Sequence, residues 1–428
     1  MTAFAAGEGR GTLLSIADLH SAYARLPQLL STVRRIAADA PGPVLIVLNG
    51  DLFERGNVVA ARSRGAGDFA FLTALGQVAP TILNIGNHEP NFVDDMRSLV
   101  AQVEARGVPV ISNIVDARTG RLYAPLAVEA ELAGRPVMVA GIATDNIFTY
   151  PANIRSQLTL PEPVASAQNL LRRLGEDPIL LLSHAGVVAD RAILPLLTRG
   201  SIAVGGHDHL TLTEGGGITY AHGGSWGRIL LRFDVTAVGE GFSAVVTPVE
   251  IAPGDEGDAE LTATITALEE EHLTAEDKAT IATLDGPLDF TDGVFVAVEA
   301  VRKAADADVA FIGHTTFGTG LPAGNVRRYD FDAFIRFDGS ILTAQVRGAT
   351  LAAIMGRANQ HEAATLEART GDFVYAREIQ IDAEATYTIA VNGWTARNQE
   401  AYLGTQNVPF REVPGMMLKS TVMDALNG

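Results

Sequence analysis

The sequence predicts a layered α/β domain followed by a smaller α+β domain. Apolar runs and amphipathic stretches alternate up to about residue 252, the pattern of helices covering a mainly parallel sheet. Composition then shifts at Ala252-Pro-Gly-Asp-Glu-Gly-Asp258, and 428 residues exceed the usual span of one core.

Taken in order, Thr12–Ala17, Val44–Leu48, Thr81–Ile85, Val108–Ile111, Val137–Ile142, Ile179–Leu182 and Ser201–Val204 are short apolar runs that predict buried strands. Leu26–Ala38, Asp68–Val78, Asp94–Glu104 and Asp190–Leu197 space their apolar residues at the helical period. Ile218–Ala221, Ile229–Val235 and Ser243–Ile251 follow without helices between them and predict a closing antiparallel meander. The first domain is thus expected over 1–252 and a linker over 253–277, with a helix at Glu260–Glu271. The second domain is expected over 278–428, where the clearest runs are Val309–Ile312 and Phe334–Val346.

Composition narrows the function. Hydrophobic residues make up 47% and charged residues 19%, the balance of a folded soluble chain. No apolar run approaches the roughly 18 residues of a membrane helix, so no membrane partner is expected. The net charge of −18, from 32 basic and 50 acidic residues, repels polyanions and argues against duplex nucleic acid. Cysteine is absent, which excludes disulfides and thiolate metal sites. A metal would sit on His, carboxylate or amide oxygen, a donor set suited to Mn, Zn or Fe. The first residues, MTAFAAGEGRG, lack the charged-then-apolar plan of a signal peptide.

Chemistry-bearing residues gather where the predicted strands end. Asp18 and His20 follow the first strand, Asp51 the second, and Asn87 and His88 the third; His184, His207 and His209 follow later ones. The C-terminal ends of parallel strands share one edge, where open α/β folds keep their sites. A lone Asp-x-His or a His after a strand carries little weight, but five such events at strand ends point to one site. Two carboxylates, four imidazoles and one amide are enough for two metal ions that share a carboxylate. Asp-x-His and His-x-His suit this because alternate residues leaving a strand can point the same way. Such a centre, with metals about 4 Å apart, clamps a phosphoryl oxygen.

The motifs Asp18-x-His20, Gly50-Asp51, Gly86-Asn-His-Glu89, His184 and Gly206-His-Asp-His209 resemble the calcineurin-type metallophosphoesterases. Within them the chain resembles the 5′-nucleotidase and 2′,3′-cyclic-nucleotide phosphodiesterase group. The resemblance implies a four-layer αββα metallophosphoesterase domain and a 5′-nucleotidase-type C-terminal domain that swings about the linker helix. It implies Asp18, His20, Asp51 and His209 around one metal, and Asp51, Asn87, His184 and His207 around the other. A metal-bridging hydroxide would attack phosphorus in line, with His88 stabilising the phosphoryl group or protonating the leaving oxygen. Manganese is the first expectation for both ions, with Zn, Fe, Co or Ni as alternatives. The expected partner is a small phosphate ester and the expected state a monomer. Family habit implies export, so a periplasmic or extracellular location is expected, otherwise a cytoplasmic one.

The chain departs from the family in three places. Asn91 stands where the family has an Asp that orients the catalytic His, and Asp94 or Asp95 is a candidate substitute. Ile312-Gly-His-Thr-Thr-Phe-Gly318 fills the place of a Gly-rich, Arg-bearing phosphate turn, and a second family Arg has no match around Gly286–Gly293. The base clamp is better kept: Phe337, Trp394 and Glu400 are the implied substrate-binding residues, with Arg336 and Arg397 nearby. His222-Gly-Gly and Gly50-Asp-Leu-Phe-Glu-Arg-Gly56 resemble protein-phosphatase motifs, which suggests Arg55 as a phosphate contact or surface ion pair. His314 is expected in an exposed loop or on substrate, and His272 and His361 on solvated helices. The expected reaction is hydrolysis of nucleotide-like monoesters or 2′,3′-cyclic diesters. The alternatives are a phosphatase for sugar phosphates or other non-nucleotide esters, a thiosulfate hydrolase, and a metal-binding relative without turnover.

Overall fold

The computed structural model of the protein describes residues 9–363 and 365–427, which divide into two compact units after His272. The first unit is built on two six-stranded sheets. One runs Gly241–Glu250, Ile229–Val238, Arg10–Ile16, Val44–Asn49, Thr81–Asn84, Val110–Ile111 from edge to edge. Its last four strands are parallel. The other runs Thr211–Glu214, Thr219–Gly223, Ile202–Gly205, Ile179–His184, Arg135–Ala143, Ala127–Leu132, with a parallel centre and antiparallel edges.

The sheets stack through Leu13, Leu45, Val47, Ile82 and Ile111 on one side and Val139, Leu180, Leu182, Ile202 and Val204 on the other. Their outer faces also need cover, which is why the strands read as continuous apolar runs. Leu26–Ala38 supplies such cover by burying Leu26, Leu29, Leu30, Val33 and Ile36 along one stripe. The helix Ala259–His272 packs in this first unit through Leu261 and Ile265.

Three expectations are corrected. The closing meander is split: Thr219–Gly223 lies in the second sheet, parallel to Ile202–Gly205, and only the hairpin of Ile229–Val238 and Gly241–Glu250 joins the first. A strand buried on both faces carries no sign of which sheet it joins. The helix expected at Asp190–Leu197 begins earlier and changes type: Val187–Ile193 is α-helical and Leu194–Leu196 continues it as a 3-10 turn. Asp208, from a distant loop, accepts the Val187 N–H at 2.6 Å and starts the helix early, and Pro195, which has no N–H to give, ends the α-helical ladder. In the second unit, Phe334–Val346 is not one run. Arg328–Phe334 is helical, a turn holds Phe337, and the strand is Ser340–Arg347.

That second unit has a five-stranded sheet in the order Val374–Tyr375, Val309–Gly313, Thr386–Asn392, Ser340–Arg347, Arg411–Met417. Phe290–Ala304 packs on it with Val294, Val298 and Val301 buried. Among the described residues no helix is long and apolar enough to cross a membrane.

Two buried amides join the sheets of the first unit at one edge. Asn84 Nδ2 donates to Asn49 Oδ1, Ile142 O and Leu182 O at 3.0, 3.1 and 3.1 Å. Asn49 Nδ2 donates to Ser183 O and Val204 O at 2.9 and 3.0 Å. Replacing Asn84 by Ala strands these acceptors inside the core. The expected loss is about 2–4 kcal/mol, read from urea unfolding followed at buried Trp226. An unchanged midpoint would show that the amide ties nothing together.

Candidate metal centre

The Asn49–Asn84 edge is where all seven predicted ligands meet. Asp18, His20 and His209 bring donor atoms within 4.8 Å of one another, and so do Asp51, His184 and His207. His20 Nε2 faces His209 Nε2 at 2.9 Å and lies 3.9 Å from Asp18 Oδ1 and 4.0 Å from Asp51 Oδ2. His184 Nε2 is 3.2 Å from Asp51 Oδ2 and 3.9 Å from Asp18 Oδ1. Asn87 Oδ1 sits 2.9 Å from His207 Nδ1. Asp51 therefore stands between both groups.

Strand alternation does not aim these side chains. The strands end at Ile16, Asn49 and Gly205, short of the ligands. Asp18, His20, Asp51, His207 and His209 instead take left-handed backbone, with φ of 52°, 49°, 57°, 82° and 57°. Such angles are uncommon for residues with a Cβ and cluster at functional sites. Backbone bonds hold them: Asp18 N–H to Gly50 O, His20 N–H to Asp51 O, and Trp226 N–H to Asp18 O. Glycines give the room. A Cβ on Gly50 would lie 2.3 Å from His184 Nδ1, and one on Gly86 2.4 Å from Asp51 Oδ1.

The donor set fits divalent metal. His184 is fully buried, with its Nδ1 engaged with Asn49 O at 2.7 Å and its Nε2 turned to Asp51 Oδ2 at 3.2 Å. A ring held by one nitrogen, with the other turned toward carboxylates, is how a metal-binding imidazole is oriented. Electrostatics agree. Burial raises the Asp18 pKa to about 8, against the lowering effect of His184. Burial opposes ionisation of Asp51 too, but His184 and His88 hold its pKa well below the usual carboxylate value. Burial would lower the His184 pKa, but Asp51 and Asp18 raise it to about 10. A buried centre that holds this much carboxylate calls for cations.

Glu89 lies beneath the centre. It accepts the N–H groups of Asp51, Leu52 and Gly86 at 2.9, 2.8 and 2.6 Å, and burial raises its pKa to about 7. His88 is anchored through its N–H to Asp51 Oδ1 at 2.7 Å, and its ring packs edge-on to His20. His88 Nδ1 is 3.0 Å from Asn91 Nδ2 and 3.3 Å from Glu54 Oε2. Glu54 Oε2 also lies 3.5 Å from His20 Nδ1.

Neither Asp94 nor Asp95 orients His88. Asp94 accepts from Asn153, and Asp95 caps the helix Met96–Glu104 and pairs with Arg118. The carboxylate beside His88 is Glu54, which sequence reasoning missed. Its signal was the Gly50-Asp-Leu-Phe-Glu-Arg-Gly56 stretch, three residues beyond a ligand. Arg55 holds the Asn91 carbonyl through Nε and Nη2 at 3.2 and 2.8 Å, bracing the His88 turn from behind instead of waiting for phosphate. His222 is outside the centre, buried with Tyr220 and Asp190.

In the second unit, Ile341 pairs with Asn392, so Phe337 and Trp394 leave the same end of the sheet. Both are about half-exposed, and Glu400 is exposed on the helix Gln399–Leu403. The Arg336 guanidinium lies 4.8 Å over the Phe337 ring. His314 is buried and stacked on Phe373 at 4.3 Å, not exposed, because its turn closes over the sheet end. His361 sits in a short turn against Tyr375 at 5.0 Å instead of on a solvated helix.

Comparison with known proteins agrees with this architecture. Residues 11–210 match the calcineurin-like phosphoesterase family, and residues 289–405 the 5′-nucleotidase C-terminal domain. A 5′-nucleotidase precursor of Thermus thermophilus superposes with a TM-score of 0.63 at 18% identity, covering 97% of this chain and 96% of that one. The sulfate thiohydrolase SoxB of the same organism gives 0.66 at 17%, covering 98% and 94%. A 5′-nucleotidase of Candida albicans gives 0.63 at 13%, covering 99% of each. At these identities the likeness shows the fold. Among curated proteins, hydroxyethylthiazole kinase of Leptothrix cholodnii is 30% identical over 142 residues, 32% of this chain. The match spans about half of that relative, 49% of its length. The two family matches fall one on each unit, so the chain carries a calcineurin-like phosphoesterase domain followed by a 5′-nucleotidase C-terminal domain.

Proposed function

We propose that the protein hydrolyses phosphate esters of small nucleotide-like substrates, as a phosphomonoesterase, a 2′,3′-cyclic phosphodiesterase, or both. The observation that carries this is the convergence of two N/O donor groups on one carboxylate, Asp51, with His88 beside them. Asp18, His20, Asp51 and His209 would hold one divalent ion, and Asp51, Asn87, His184 and His207 the other. Such ions supply Lewis acidity toward phosphoryl oxygens and activate water.

The chain's own residues supply the rest. His88 Nδ1 is turned to Asn91 and Glu54, which leaves Nε2 for the substrate. An amide nitrogen only donates, so Asn91 serves an unprotonated Nδ1; a carboxylate only accepts, so Glu54 pairs with the Nδ1–H that the imidazolium carries and keeps when Nε2 gives up its proton. His88 can thereby hold a proton and deliver it to the leaving oxygen. Phe337 and Trp394 would stack a flat group, with Glu400 at the edge of that clamp. A second reading, a phosphatase for sugar phosphates or other non-nucleotide esters, is favoured by the second unit. Its His314-Thr-Thr-Phe317 turn offers no Arg, and Arg336 is laid over Phe337.

The test is hydrolysis by manganese-loaded protein of AMP, 2′,3′-cyclic AMP and a sugar phosphate. Asp51→Asn is expected to abolish turnover of each; equal inertness of wild type and variant would leave only a metal-binding relative. His88→Ala should cost about 10²–10⁴-fold on AMP, and far less on p-nitrophenyl phosphate, whose leaving group needs no proton. Glu54→Gln should cost about 10–100-fold with the same leaving-group pattern; a uniform loss on both esters would remove Glu54 from this role.

Metal binding should also be linked to protons. The metal-free pKa of His184 is raised to about 10 and that of Asp18 to about 8, so a metal displaces protons below those values. Affinity for Mn²⁺ should therefore rise from pH 6 to 8, by about tenfold per unit for each proton released. Calorimetry in buffers of different ionisation enthalpy reads the release directly, and a pH-independent affinity would contradict the ligand assignment.

A further inference from the structure

We propose that Phe148 is a stacking platform for a flat aromatic or heteroaromatic group of the ester, mounted on the wall of the metal centre. This deepens the hydrolase reading and rests on it. Phe148 is 71% exposed, the most exposed large hydrophobic side chain among the described residues. A single exposed ring is ordinary on a protein surface; what sets this one apart is its mounting.

Phe148 sits in the short turn Ile147–Thr149, which is tied from several sides. Asn146 Oδ1 accepts the Phe148 N–H at 3.2 Å, and Thr149 Oγ1 donates to Asn146 O at 2.8 Å. Arg155 donates through Nη2 to Phe148 O and through Nε to Tyr150 O, both at 2.8 Å. The turn is also fixed to the centre. Asn87 Nδ2 donates to Thr149 O at 3.4 Å while its Oδ1 stays beside His207. Tyr150 is fully buried and feels the charges of Asp51 and Glu89. The exposed ring thus stands one residue from a carbonyl that touches a proposed metal ligand.

The Arg155 guanidinium carbon lies 5.6 Å from the Phe148 ring centroid, on one face of it. The opposite face is left for a ligand, and the guanidinium adds positive charge beside the ring. A planar leaving group on a phosphate held at the metals would find a rigid aromatic surface there. Base-on-aromatic stacking is tolerant of base identity, because every base has a π-face.

The test uses manganese-loaded full-length protein with AMP, phenyl phosphate and glycerol phosphate. Phe148→Ala should raise KM about tenfold for the two flat esters and leave glycerol phosphate unchanged, and Phe148→Trp should restore both. An equal effect on all three esters, or none, overturns the platform. Phe148→Trp also reports binding without turnover: its added emission over wild type should be quenched by AMP and not by glycerol phosphate. Absence of that quenching overturns the proposal whatever the rates. Quenching without hydrolysis in the wild type would leave the platform standing and sink the hydrolase reading instead.

Discussion

The paired amides of Asn49 and Asn84 are the constraint on which the rest of the first unit depends. Each is the last residue of its strand and is fully buried, and between them they make five hydrogen bonds, one to each other and four to carbonyls of the facing sheet. The chain leaves Asn49 directly into Gly50-Asp51 and leaves Asn84 into Gly86-Asn87-His88. The Asn49 carbonyl also takes the Nδ1 side of His184. Fixing one amide pair therefore fixes the origin of three ligands and of the proposed catalytic histidine. A buried amide is worth little as an isolated hydrogen bond but costs much when its partners are lost. That asymmetry makes the junction rigid.

Rigidity is needed because the ligands themselves are strained. Left-handed backbone at Asp18, His20, Asp51, His207 and His209 costs about 1–2 kcal/mol per residue. These residues also crowd unlike and like charges into a space from which water is mostly excluded. Neither cost would persist in a loop free to relax. The Glu89 carboxylate beneath Asp51 and the backbone bonds joining Asp18 to Gly50 and Trp226 hold the strained loops against the sheet ends. Cations at the centre would then relieve the electrostatic part of the cost.

This division explains what could be read in the chain. The parallel strands were legible because burial on both faces leaves uninterrupted apolar runs, as at Val44–Asn49 and Ile179–His184. The ligand set was legible because so few residue types hold a metal without cysteine, and their order along the chain survives any error in the strand ends. Sheet membership was not legible: Thr219–Gly223 has the same apolar pattern whichever sheet it joins. Nor were the αL turns, since Asp and His carry no sequence mark of positive φ. Asn49 and Asn84 look like ordinary turn residues, and only their burial between two sheets shows that they are a junction.

Glu54 shows the same limit at the level of chemistry. A carboxylate was expected near His88 from the segment that follows it, because neighbours in sequence are the ones a sequence displays. The fold supplies it from the preceding loop, where it faces His88 on one side and His20 on the other. A carboxylate placed there couples the proposed acid to a proposed ligand, so that a shift of the His20 ring is felt at His88 through one shared partner. Asn91, which cannot accept a proton or carry charge, is then free to hold the turn through Phe53 O while Arg55 braces its carbonyl. The substitution at position 91 thus moves the negative charge from the His88 turn to the Asp51 loop without removing it from the centre.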